Sequence, residues 1–130
     1  MNKIKKKLIF GTANLGVRYG INASNISKNS SLKKIFSLLK REKVLFIDTA
    51  YTYKNAQKYL GKHNIKNFKI ISKLPKFKKV NLNILEEEVI NHIKQSLKKL
   101  NISRFYALLI HDTKELDSNK GKKIFKVLQL

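Results

Sequence analysis

Three strand-like apolar runs in this chain each lead into one charged or titratable residue. Val44-Leu45-Phe46-Ile47 runs into Asp48, Phe68-Lys69-Ile70-Ile71-Ser72 into Lys73, and Phe105-Tyr106-Ala107-Leu108-Leu109-Ile110 into His111. The segments between them carry helical spacing. Strands that alternate with helices imply a parallel sheet, because a parallel return needs a crossover and a right-handed helix supplies it. Parallel strands point their carboxyl ends to one face, so Asp48, Lys73 and His111 are expected to meet there. Tyr53, on the loop after Asp48, is expected above the same face.

The full order reads β-α-β-α-β-α-β-α. Leu8 to Thr12 is read as a short buried strand closed by Gly11, and Ala13 to Asn29 as a loop with Gly16, Gly20 and several Asn and Ser. Ser30 or Ser31 is expected to cap a helix with the apolar face Leu32, Ile35, Phe36, Leu38 and Leu39, ending near Arg41. Val44 to Asp48 is the second strand, and Ala56 to Leu60 a short helix stopped at Gly61. Phe68 to Lys73 is the third strand, ended by Pro75. Asn83 is expected to cap the best-defined helix, with the stripe Leu85, Val89, Ile90, Ile93, Leu97 and Leu100. Glu86, Glu87 and Glu88 in its first turn and Lys98 and Lys99 in its last suit the helix dipole. Phe105 to His111 is the fourth strand, and Gly121 to Leu130 begins a fourth helix. The chain stops inside that apolar helix, so residues 1–130 read as one partial domain, truncated before a fifth strand.

The net charge of +21 would ordinarily point to nucleic acid or an anionic membrane. Three features argue against a specific polyanion partner. Of the 29 basic residues 26 are Lys, whereas Arg supplies the preferred fork for phosphate. The lysines are spread from Lys3 to Lys126. Lys, Asn and Ile together make up 54 of 130 residues, which an AT-rich genome would produce on its own. There is no cysteine, which excludes disulfides and thiolate metal sites and fits a reducing compartment. The basic start Met1 to Lys7 resembles the head of a signal peptide, but the apolar part halts at Gly11-Thr12. No stretch is long enough to span a membrane, and the expected location is the cytoplasm.

Gly11-Thr12-Ala13, Asp48-Thr49-Ala50-Tyr51-Thr52-Tyr53, Leu60-Gly61, Ser72-Lys73 and Leu109-Ile110-His111 resemble the N-terminal half of the aldo-keto reductases. These are NAD(P)H-dependent carbonyl reductases on a (β/α)8, or TIM, barrel. The opening Gly11 to Ile21 is similar to bacterial members from sugar-modification pathways. The resemblance implies an α/β fold of four parallel β/α units, half of that barrel. It implies NADP(H) or NAD(H) as cofactor with no metal, and a small carbonyl compound as substrate, sugar-derived on the narrower similarity. It also implies a catalytic tetrad of Asp48, Tyr53, Lys73 and His111. Hydride addition to a carbonyl builds negative charge on oxygen, and a proton must quench it. A free phenol, titrating near 10, is a poor donor at neutrality. The Lys73 ammonium would favour its phenolate, Asp48 would hold that lysine, and His111 would bond the carbonyl oxygen. The family often has Gly after the tyrosine and Ser-Glu soon after; Lys54-Asn55-Ala56-Gln57 stands here instead. Cofactor-binding residues are left unassigned, since later loops hold most of the cofactor in the family.

Each residue also has a structural reading. Asp48-Thr49 fits a capping turn, Lys73 is one of 26 lysines, His111 fits a polar strand end, and Tyr53 has packing neighbours in Tyr51 and Tyr59. His63 and His92 lack ligand partners and are expected to be exposed. Gly11-x4-Gly16 is followed by Val17-Arg18 where a phosphate loop needs Lys-Ser/Thr, so that motif is rejected. Two further readings stay open: a catalytically inactive remnant of a split gene, and a basic polyanion-binding α/β module. A half barrel would also leave Ile47, Ile71 and Leu109 facing an unfilled interior, which favours self-association.

Overall fold

The computed structural model describes residues 8–15, 29–77 and 79–129. The basic segment 1–7, the loop read over 16–28, and Leu130 lie outside the described residues. The elements are β1 (Ile9–Gly11), α1 (Asn29–Arg41), β2 (Phe46–Asp48), α2 (Ala56–Gly61), β3 (Lys69–Leu74), α3 (Leu85–Leu100), β4 (Ala107–Ile110), a short 3-10 turn (Thr113–Glu115) and α4 (Asn119–Leu128). The four strands form one sheet in the order β1-β2-β3-β4, all neighbours parallel. This is the half of a (β/α)8 barrel.

Side-chain alternation decides what each face of the sheet holds. Ile47, Ile70 and Leu74 turn toward the helices. Ile47 and Ile70 join Leu32, Phe36, Leu39, Leu60 and Leu100 in one core, and Leu74 joins Phe77, Leu85, Val89, Ile124 and Val127 in a second. Each such side chain contributes about 1.5–3 kcal/mol on burial. The other face carries Phe46, Asp48, Lys69, Ile71, Lys73 and Leu109, and helices do not cover it.

Ile47 was expected on that open face, and the structure corrects this. Asp48 and Ile47 are adjacent in one strand, so only one of them can face the barrel interior. Asp48 does, and Ile47 is wholly buried beneath the helices. β1 is an end strand rather than a buried one, with Ile9 55% exposed. Leu38 likewise leaves the apolar face of α1 and is exposed.

The helix ends also differ from their expected caps. α1 begins at Asn29, so Ser30 and Ser31 both fall inside it. α3 is preceded by Ile84, with no side-chain cap, and Asn83 instead donates its N–H to Asn81 Oδ1. Glu86, Glu87 and Glu88 supply the compensating negative charge at that end. α4 starts two residues earlier than read, because Ser118 Oγ accepts from the Gly121 N–H at 3.1 Å. Gly61 does not end α2 by a left-handed turn, since Lys62 beyond it keeps right-handed helical geometry. A Cβ at Gly61 would lie 2.1 Å from the Lys99 carbonyl oxygen. Glycine stands there so that α2 can cross α3 closely.

Candidate active site

Parallel register pairs Gly11 with Asp48 and Asp48 with Ile71. Lys73, two residues beyond Ile71, therefore rises from the same face one step nearer the strands' carboxyl ends. Thr12, just past β1, fixes the backbone beneath. Its hydroxyl and its N–H both donate to the Asp48 carbonyl, at 2.8 and 3.1 Å. The loop after β2 extends the ladder, with Thr49 N–H donating to the Ile71 carbonyl and Tyr51 N–H to the Lys73 carbonyl. Tyr53 N–H closes a turn on the Ala50 carbonyl. Lys54, at the position where a glycine was noted as usual, takes φ of 36°, a left-handed value that costs a side-chain-bearing residue.

The structure brings Asp48, Tyr53, Lys73 and His111 together at this end of the sheet. Lys73 Nζ donates to Asp48 Oδ1 at 2.5 Å and Oδ2 at 2.6 Å, and lies 3.4 Å from the Thr49 carbonyl oxygen. The two side chains are 19% and 29% exposed, so solvent screens the pair only in part. The same ammonium lies 5.2 Å from the centre of the Tyr53 ring. The Tyr53 and His111 rings meet edge to face with centroids 6.2 Å apart. Thr52 Oγ1 is 3.5 Å from His111 Nδ1, a contact at the outer limit of hydrogen bonding.

The neighbouring tyrosines are occupied elsewhere. Tyr51 donates to Gln95 Oε1 at 2.8 Å, and its ring lies under the Lys99 ammonium and against His92. Burial there, with the nearby Lys58 charge, pushes the Lys99 ammonium below its ordinary value. Tyr59 packs on the core formed with α1. Of the three rings, Tyr53 is the one that faces the Lys73 ammonium. His63 and His92 are half-buried rather than exposed. His63 packs on Phe36, and His92 lies between Tyr51 and Phe77 with Nδ1 2.7 Å from the Glu88 carbonyl oxygen.

Sequence reasoning gave Thr12, Thr49 and Thr52 no part in the site, yet all three sit inside the motifs that carried the resemblance. Their signal was present as the threonines beside Gly11, Asp48 and Tyr53. Thr49 Oγ1 is buried without a hydrogen-bond partner. Gln57, also buried, donates to Ser72 Oγ at 3.2 Å and ties α2 to β3.

Four parallel β/α units with a lysine–carboxylate pair, a phenol and an imidazole at the strands' carboxyl ends define a class of barrel domain. The chain belongs to the aldo/keto reductase family, whose sequence model matches residues 7–129. Two solved structures from Pseudomonas aeruginosa, each described provisionally as an aldo-keto reductase and one of them PA4992, are similar to it. Their TM-scores are 0.76 and 0.75, at 21% and 19% identity. The match takes in 95% of this chain in each case, and 49% and 48% of theirs. The chain thus spans about half the length of those structures. No curated protein matches the chain significantly. Among the described residues no helix is long and apolar enough to cross a membrane, and no three His, Cys, Asp or Glu gather as a metal site.

Proposed function

We propose that this chain carries the proton-handling part of an NAD(P)H-dependent carbonyl reductase. The observation that supports it most is the Lys73 ammonium, held by both oxygens of Asp48 and set against the ring of Tyr53. The residues fit the nicotinamide end of such a cofactor: a phenol that can donate a proton, beside a fixed cation and an imidazole. The reduced nicotinamide, when bound, supplies the hydride. Tyr53 Oη gives its proton to the carbonyl oxygen as negative charge grows there. Lys73 stabilises the phenolate that remains, and Asp48 keeps Lys73 charged and aimed. His111 donates to the same carbonyl oxygen and orients the substrate. A small aldehyde or ketone, sugar-derived in the narrower reading, is the proposed substrate class.

The chain alone is expected not to consume NADPH. Joined to the complementary half of PA4992, it should reduce a simple aldehyde at the expense of NADPH. Tyr53→Phe should lower that rate by about 10²–10⁴-fold. A chimera that melts cooperatively and binds NADPH, yet turns over as fast after Tyr53→Phe as before it, would refute the proposal.

A further inference from the structure

A cavity of about 930 Å³ opens at the opposite end of the strands from Asp48 and Lys73. It lies where β3 begins, α3 ends and the chain turns into β4. Its wall carries Lys66, Lys69, Lys98 and Arg104, together with Tyr106, and no carboxylate. That volume suits a ligand of nucleotide size. Tyr106 is 58% exposed, the highest exposure of any large hydrophobic residue described. Its ring meets Phe46 edge to face at 5.2 Å, and the Lys69 ammonium lies 5.0 Å from its centre. Lys69 and Tyr106 thus meet on the cavity wall, with more than half of Tyr106 exposed.

The end of a helix normally presents carbonyl oxygens, which repel anions. Here that repulsion is reduced. Asn101 turns left-handed, with φ 54° and ψ 46°, and its N–H is shared between the Leu97 and Lys98 carbonyls. Ile102 N–H also donates to the Leu97 carbonyl, at 3.2 Å. Two carbonyls of the last turn, those of Leu97 and Lys98, are thus engaged, and Lys98 and Arg104 stand as cations on the cavity wall.

We propose that this cavity binds a nucleotide phosphate: a phosphate between Arg104 and Lys66, and a planar base on Tyr106. Arg supplies the planar fork that phosphate oxygens fit, and base–aromatic stacking tolerates any base because each has a π-face. The ligand is either a free nucleotide or the end of a single-stranded oligonucleotide. The site is separate from the carbonyl-reducing one and stands or falls without it.

The test is titration of the 130-residue chain with ATP, with a fluorescent oligothymidylate, and with inorganic tripolyphosphate. ATP or the oligonucleotide should bind at least about tenfold more tightly than tripolyphosphate, because stacking adds to charge. Whichever binds more tightly names the source. Tyr106→Ala should remove about tenfold of that affinity. Lys66→Glu with Arg104→Glu should weaken binding well beyond Lys34→Glu with Lys40→Glu, which changes net charge equally on exposed α1 positions. Equal weakening by the two charge pairs, tripolyphosphate binding as tight as ATP, or no binding of either nucleotide probe would overturn the proposal.

Discussion

Lys73 donates to both carboxylate oxygens of Asp48 across two adjacent parallel strands, at 2.5 and 2.6 Å. The pair couples β2 to β3 at the end where the candidate site lies. A double-mutant cycle with Asp48→Asn and Lys73→Met should give a coupling of about 1–3 kcal/mol in urea denaturation, the size of charge-assisted hydrogen bonds. A coupling near zero would mean the pair is solvated and positions nothing.

Gly61 is expected to tolerate no side chain. A Cβ would meet the backbone of α3 at Lys99, which cannot yield as a flexible side chain can. Gly61→Ala should destabilise the chain by about 1–3 kcal/mol, as overpacking does elsewhere. An unchanged midpoint would show that α2 and α3 cross less closely than described.

Stability should fall on acidification through His63. Burial, reinforced by the Lys33 charge, holds its imidazole below the ordinary 6.5. Its Nε2 is buried with no hydrogen-bond partner. The unfolded chain therefore takes up this proton at higher pH than the folded chain. Between the two values the unfolded state binds more protons, so stability drops as pH falls. The contribution is whole above 6.5 and is lost between 6.5 and the lower folded value. Urea midpoints followed through that range should decline, and His63→Phe should flatten the decline. An equally steep decline in the variant would assign the effect to other groups.

Self-association should grow with salt. β1 and β4 are the end strands, and Ile9 and Leu109 stand 55% and 45% exposed. Apolar surface of this kind favours association, while a net charge of +21 opposes it by a repulsion that salt screens. Sedimentation at rising salt should show heavier species, and Leu109→Lys should weaken association by about tenfold or more. A compact monomer at high salt and high concentration would contradict this.

The order of elements was legible because each strand and helix announces itself in a short window. The runs ending at Asp48, Lys73 and His111 were legible for the same reason. What was not legible depends on contacts between distant segments. Gly61 reads as a helix stop in sequence, and only the approach of Lys99 gives its actual role. The side on which Ile47 falls was legible by contrast, since strand alternation sets it opposite Asp48, and the sequence reading misplaced it. Lys66, Lys69, Lys98 and Arg104 are scattered among 26 lysines and three arginines, so no run along the chain marks them. The β3-α3-β4 unit folds them around one cavity.

The central claim is that Lys73, among so many lysines, is the one that serves Tyr53. Single-turnover hydride transfer in the chimera with the complementary half of PA4992 tests it most directly, comparing Lys73→Met with Lys122→Met on the exposed face of α4. Lys73→Met should slow transfer from NADPH to an aldehyde by about 10²-fold or more, and Lys122→Met should leave it within about twofold, as surface changes usually do. Equal rates for the two variants, in chimeras that melt alike and bind NADPH alike, would contradict the account.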